Sequence, residues 1–171
     1  MKTYPLLPLR NTVLFPNQII PIYIGRKQSL SLIEDVSKLE DKTIIVVAQR
    51  DGKIELPKKE DFYEVGTLAT VMKIFNMPDE SKSAIVKGIK KVRIHKYDGS
   101  KNYFQSTFTD LNETIGDPSE LDALCENLKS MFSGLIEIAP YLSEEQANLL
   151  INIKEPSRIA DKAISVMNIQ T

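Results

Sequence analysis

Apolar residues in the first part of the chain come in short runs broken by proline. Between residues 4 and 25, Pro5, Pro8, Pro16 and Pro21 separate the runs 6–9, 12–15 and 18–24. Proline removes a backbone donor and pushes the residue before it into extended backbone, so Tyr4, Leu7, Phe15 and Ile20 are expected to be extended and a helix is excluded. The pattern predicts two or three strand segments, with Pro16-Asn17 turning the chain between them.

After Gly25 the period changes. Leu30, Ile33, Val36 and Leu39, widened by Leu32, recur at helical spacing, while Arg26, Lys27, Glu34, Asp35 and Lys38 fall elsewhere, which predicts an amphipathic helix over 27–39. The β-branched run Thr43–Ala48 is apolar on both faces and reads as a central strand. Asp51-Gly52 turns the chain into a charged stretch, 52–63, that reads as a surface loop of the kind that often binds. A long strand from residue 64, a turn at 78–81 and a second strand over 83–87 form a hairpin. Gly88 predicts a bulge, after which Val92 and Ile94 alternate with the outward row Lys91, Arg93 and His95. A turn at 98–100 leads to a last strand over 103–111, with Phe104 and Phe108 on one face. Strands that do not alternate with helices fit a curled sheet or small pseudo-barrel rather than a parallel α/β sheet.

The character changes after Gly116. Asp117 is placed to cap a helix that starts on Pro118, with Glu120 at the third position to reach back, and Leu121, Leu124, Cys125, Leu128, Met131, Phe132, Leu135 and Ile138 follow three-four spacing up to Pro140. A second start signal, Ser143 with Gln146, opens a short helix carrying Ala147, Leu150 and Ile151; Pro156 opens a third with Ile159, Ala163, Ile164 and Met167 inward. The division is therefore a β-rich domain over 1–114 and a helical segment over 115–171. The last helix keeps apolar residues close to Thr171, which predicts a truncated piece of a longer chain.

Composition narrows the function classes. With 22 basic against 23 acidic residues the net charge is −1, so there is no broad electrostatic footprint for nucleic acid. No apolar run approaches the length of a membrane span. The single Cys125 and a charged, proline-rich start without a signal peptide point to a reducing cytoplasm.

Candidate chemistry is sparse. One Cys and one His cannot close a zinc site, and the seven glycines form no phosphate loop, so no cofactor is implied. His95 sits in the outward basic row and reads as a solvated side chain, and Cys125 reads as a buried structural thiol. The basic residues Lys82, Lys87, Lys90, Lys91, Arg93, Lys96 and Lys101 are diluted by Asp79, Glu80 and Asp98, and read as a solvated sheet face. What remains is hydrophobic. Phe75, Met77 and Pro78 lie at the hairpin tip and Phe15-Pro16 at the early turn, where large apolar groups suit a surface for varied apolar segments. The competing assignment has the same side chains covering the ends of the barrel core.

Four stretches carry a family resemblance. The opening, with Leu6-Leu7-Pro8-Leu9-Arg10-Asn11, Val13-Leu14-Phe15-Pro16, Pro21 and Gly25-Arg26, resembles in order and spacing the start of the amino-terminal domain of the Lon ATP-dependent proteases. The stretches 60–69 and 86–94, the latter bearing Gly88, and the helical residues 141–146 with 152–161, are similar to the same family. The resemblance implies an α+β fold, a β-rich PUA-like pseudo-barrel with one early helix followed by a helical segment. In the family that segment leads to an ATPase module and a serine-lysine protease module, and neither lies in these 171 residues. The implied role is non-catalytic: recognition of unfolded or damaged proteins, and contacts with other subunits of a homo-oligomer, a hexamer in the full-length family. A free-standing adaptor of the same fold is the alternative, and RNA binding by a PUA-like barrel a third class. Asn11 and the hairpin turn Asp79-Glu80, where glycine is frequent, depart from the family pattern and bear on local turn geometry.

Overall fold

The computed structural model describes residues 2–139 and 143–167. They fall into two compact units, divided between Leu111 and Asn112.

The first unit contains β1 (Tyr4–Leu9), β2 (Ile19–Ile24), α1 (Lys27–Ser37), β3 (Thr43–Ala48), β4 (Val65–Asn76), β5 (Lys82–Asp98) and β6 (Gln105–Asp110). The sheet runs β2-β5-β4-β3-β1-β6, and a further pairing of β5 with β6 closes five of the strands into a ring, leaving β2 as an extra strand on β5. The pseudo-barrel expected from the strand pattern is thus present. The parallel pair β1–β3 is the exception to antiparallel pairing, made possible by the crossover through β2 and α1.

The prolines sit where the ladder tolerates them. β2 ends the strand order, so Pro21 lies in an edge strand. β1 meets β6 only at Tyr4 and Pro5, leaving one side of the strand open where Pro8 lies opposite Val47. Residues 12–15, expected as a possible third strand, are not in a strand. Their polar groups are met by side chains instead: Thr67 Oγ1 donates to the Leu14 carbonyl at 2.6 Å, and Phe15 N donates to Gln18 Oε1 at 3.0 Å. Asn17 then turns the chain at φ 62°, a left-handed conformation that asparagine accepts.

β3 separates two cores. Ile44 and Val46 face one cluster with Leu7, Leu9, Leu14, Ala69, Val71, Val86 and the α1 residues Leu32, Ile33 and Val36. Ile45 and Val47 face the other, inside the ring, with Leu6, Phe62, Leu68, Val92 and Ile94. Both faces of Thr43–Ala48 are therefore covered, as its uninterrupted apolar run requires. Truncating a fully buried isoleucine here to alanine belongs to a class that costs about 2–5 kcal/mol.

Two register shifts in the β4–β5 pair decide which side chains face which core. One falls opposite Leu68/Ala69, where Ile89 of β5 is the extra residue beside Gly88. Because of it, Ala84 and Val86 face the first core while Val92 and Ile94, of the same parity, face the second. The other shift falls between Val71 and Lys73, where Met72 is extra; Ile74 then packs inward and Phe75 outward.

The charged loop 52–63 is more tied down than a bare surface loop. It contains a short 3-10 turn at Lys59–Asp61, buries Phe62 and Pro57, and bridges back through Gln49 and Phe62. Buried Gln49 accepts from Arg26 Nη1 at 2.6 Å and donates to the Ile54 carbonyl at 3.1 Å.

α1 is fastened at its exposed side by a three-residue cluster. Tyr103 Oη donates to Asp35 Oδ2 at 2.9 Å, and Lys101 Nζ lies 3.1 Å from the same oxygen and 3.0 Å from Tyr103 Oη. The Lys101 bond, then the Tyr103 bond, holds the Asp35 carboxyl below its ordinary range. A depressed folded-state value means that this contribution is present above the unfolded value and is lost as pH falls through the folded one. Thermal melts taken from neutral pH down through the carboxylate range are therefore expected to show a shallower acid limb for Asp35→Asn than for the parent, with lower stability at neutral pH. Equal acid limbs would contradict the assignment.

The second unit contains α2 (Pro118–Ile138), α3 (Glu144–Ile151) and α4 (Pro156–Val166). Asp117 Oδ1 accepts from Glu120 N at 3.0 Å and Pro118 opens the first turn, as the sequence predicts. Phe132, Leu150, Ile159 and Ala163 form its core, with Cys125, Leu128 and Leu135 packed against it. Three expectations change. Cys125 is half-buried rather than buried, and Ile164 of the last helix and Met167 just past its end, like Leu124, Met131 and Ile138 of the first, are exposed. Ile151 is exposed where the short helix was expected to turn it inward. Pro140 and the stretch 168–171 lie outside the described residues, as do the side chains of Gln146 and Ala147.

Candidate functional site

The end of the β4–β5 hairpin and the edge strand β2 form one surface. Directly opposed residues in a sheet share a face. Tyr23 opposes Ser83, which opposes Phe75; Pro21 opposes Ile85, which opposes Lys73; and Ile19 opposes Lys87. The opposite face carries Ile22, Ala84 and Ile74, all in the first core or packed on it. The outward face mixes Ser83, Lys73 and Lys87 with large exposed apolar groups: Tyr23 is 66% exposed, Ile19 53% and Phe75 41%, and the bulge residue Met72 (54%) and Met77 just past β4 (42%) are exposed beside them. Pro21 is exposed as well, and Lys73 Nζ lies 4.9 Å above the Phe75 ring.

A polar clamp fixes the tip. Asp79 Oδ1 accepts from Ser81 N at 3.2 Å and Asp79 Oδ2 from Tyr23 Oη at 3.1 Å, tying the turn to β2. The Ser81 hydroxyl, followed by the Ser81 backbone N–H and Tyr23, keeps the Asp79 carboxyl below its ordinary range. Glu80 occupies the place where glycine is frequent and adopts φ 63°, so the turn keeps a left-handed geometry with a side chain that tolerates it less well. Met77 N donates to the Ser81 carbonyl at 2.9 Å, closing the turn.

The five residues singled out in the sequence separate here. Phe75, Met77 and Pro78 are all exposed at the hairpin end. Phe15 and Pro16 are half-buried at a different place, against Gly88 of β5. Phe15 lines a cavity of about 450 Å³ with Val46, Ala48, Arg50, Tyr63 and Val65. Ile19, Pro21, Tyr23 and Met72 were not among the sequence candidates. The signal for β2 was its lack of alternation, since a strand apolar on both faces at the edge of a sheet must expose one of them. A second hollow, about 680 Å³, is lined by β1 and β2, where Pro8 and Pro21 offer no N–H to an added strand.

His95 is exposed, with Nε2 2.8 Å from Thr109 Oγ1, and among the described residues no cluster of three His, Cys, Asp or Glu could hold a metal ion. The basic row is interlocked with acids: Lys82 with Glu34 at 3.3 Å, Lys90 with Asp110 at 2.6 Å, Arg93 with Glu64 at 3.2 Å and Lys101 with Asp35 at 3.1 Å. Among the described residues no helix is long and apolar enough to cross a membrane.

The family model described as the ATP-dependent protease La (LON) substrate-binding domain matches residues 3–171. The chain belongs to the Lon substrate-binding domain family. Among Lon-family relatives, the Lon protease of Koribacter versatilis is 37% identical over 161 residues, which are 94% of this chain and 20% of that protein. The Lon protease of Azospirillum brasilense is 33% identical over 162 residues, 95% of this chain and 20% of that one. The chain thus spans about a fifth of the length of these relatives. The fold agrees. The N-terminal domain of the Mycobacterium avium complex Lon protease superposes with a TM-score of 0.65 at 14% identity, covering 98% of this chain and 97% of that one. The Lon N-terminal domain protein from Xanthomonas campestris gives 0.52 at 18% identity, over 96% and 98%.

Proposed function

We propose that this chain is the non-catalytic substrate-recognition part of a cytoplasmic ATP-dependent protease, and that the outer face of β2 and the hairpin end captures unfolded or damaged proteins. The observation that carries the reading is the group of exposed apolar side chains Ile19, Tyr23, Met72, Phe75 and Met77 on β2 and the hairpin end, in a chain of a substrate-binding family. An unfolded polypeptide presents apolar segments that a folded one hides, and such a face offers them burial at about 25 cal/mol per Å². The methionines repack around different side chains, while Tyr23 and Phe75 supply rigid contact area. That combination suits a surface that accepts many sequences rather than one.

The paired basic row supports polypeptide over nucleic acid as the ligand, because Lys82, Lys90, Arg93 and Lys101 are each paired with a carboxylate of the sheet, its flanking loop or α1. Hydrolysis of ATP and of peptide bonds belongs, in this reading, to modules beyond the fifth of the relatives that this chain matches. Contacts with other subunits of a homo-oligomer, a hexamer in the full-length protein, are the second role of the same region. The test is a titration of the 171-residue chain with a reduced and alkylated, permanently unfolded protein. Saturable binding that is insensitive to salt is expected; no saturable binding, or binding abolished by moderate salt, would overturn the reading.

A further inference from the structure

We infer that the cavity beside Phe15 is a separate subsite for the C-terminal residue of a polypeptide, taking its apolar side chain while Arg50 takes the α-carboxylate. The inference rests on the proposed function only in that the ligand is a polypeptide, and it uses none of the exposed residues at the hairpin end or on β2.

The cavity's apolar lining comes from Val46 and Ala48 of β3, Val65 of β4 and the loop residues Leu14 and Phe15. Leu14 is held there by the bond from Thr67 Oγ1 to its carbonyl. Arg50 and Tyr63 line the same cavity. The guanidinium is set in place twice: its Nε donates to the Phe62 carbonyl at 3.1 Å, and its Cζ lies 4.7 Å above the Tyr63 ring. Those contacts use Nε and the ring face. The two terminal nitrogens have no partner among the described residues and present the end of the fork, which matches a carboxylate bidentately.

Charge and size choose the occupant. Arg50 brings a cationic fork to the cavity, and the carboxylate that lines it, Glu64, is drawn to Arg93 at 3.2 Å. An anion is therefore favoured. The apolar lining and the fork belong to one cavity of about 450 Å³, so the ligand must carry its apolar group and its anion within a few ångströms of each other. A terminal leucine or phenylalanine does so on a single Cα. An internal acidic residue places its carboxylate and the neighbouring apolar side chain on different Cα atoms, and in extended backbone these point to opposite sides.

The experiment measures binding of an N-acetylated peptide ending in leucine to the 171-residue chain, with the terminus free or amidated, and with decanoate as competitor. The free acid is expected to bind at least tenfold more tightly than the amide. Arg50→Gln should bring the acid to the level of the amide, whereas Phe75→Ala should leave the difference unchanged. Should Arg50→Gln lower the melting temperature, Val65→Phe carries the test, since it enlarges an exposed lining side chain and leaves Arg50 intact; loss of acid binding is expected. Equal binding of acid and amide, or full acid binding by either groove variant, overturns the subsite. Saturable decanoate binding without peptide-acid binding overturns the polypeptide assignment. Loss of unfolded-protein binding in the hairpin variant with the acid preference intact would bear on the hairpin face alone.

Discussion

Replacing Gly88 with alanine is expected to destabilise the β unit by about 3 kcal/mol, near the upper end of what overpacking costs. An added Cβ would stand 2.2 Å from the Phe15 carbonyl oxygen, 3.0 Å from its carbon and 3.3 Å from Pro16 Cα. All three are backbone atoms, so no side chain can swing aside. The approach is enforced from both directions, because Asn17 N donates to the Gly88 carbonyl at 3.0 Å and Gly88 N donates to the Gln18 carbonyl at 2.9 Å. Relief would break those bonds or move the bulge that lets β5 serve two cores. The melting temperature should fall by roughly 10 °C or more. Gly99→Ala, where an added Cβ meets nothing within 4 Å, is the control and should change it little.

The second large effect concerns binding. Ile19→Asp with Phe75→Asp is expected to weaken capture of an unfolded apolar protein at least tenfold, about 1.4 kcal/mol, with little change in melting temperature. Both side chains lie on the outward face and are more than a third exposed, so the substitutions leave the core untouched and belong to a class usually within about 0.5 kcal/mol in stability. Two buried-on-binding carboxylates, in contrast, would each have to be desolvated against an apolar partner. A variant that binds as well as the parent would remove the hairpin face from the mechanism.

Much of this fold was legible because local signals agreed with one another. The uninterrupted β-branched run 43–48 required cover on both faces and received it from two cores. Asp117 and Pro118 fixed the start of α2, and Gly88 marked the bulge. Legibility failed where long-range pairing decided the outcome. The 12–15 run looks like a strand, yet its polar groups are answered by Thr67 and Gln18 side chains that no local pattern could assign. The bulge at Met72 has no glycine to announce it, although it is what turns Phe75 outward. The exposed half of the helical apolar stripe could not be separated from the buried half by spacing alone, as Leu124, Met131 and Ile138 illustrate.

The candidate surface was half legible for a related reason. Large apolar residues at a hairpin tip stand out in a sequence, so Phe75 and Met77 could be named. Ile19 and Tyr23 lie some fifty residues away in the chain and join them only through the β2–β5 register. Phe15 was named for its turn, and the structure places it beside a different cavity with Arg50, a residue whose spare donors become visible only when its bonds to Phe62 and Tyr63 are known.

Chemical-shift mapping of the isotopically labelled chain, titrated with a reduced and alkylated unfolded protein, shows whether β2 and the hairpin end take up unfolded polypeptide. Saturable perturbations concentrated at Ile19, Tyr23, Met72, Phe75 and Met77 are expected, with the inward partners Ile22 and Ile74 affected less. Saturable perturbations confined to other surfaces, or none at this face, would contradict capture there.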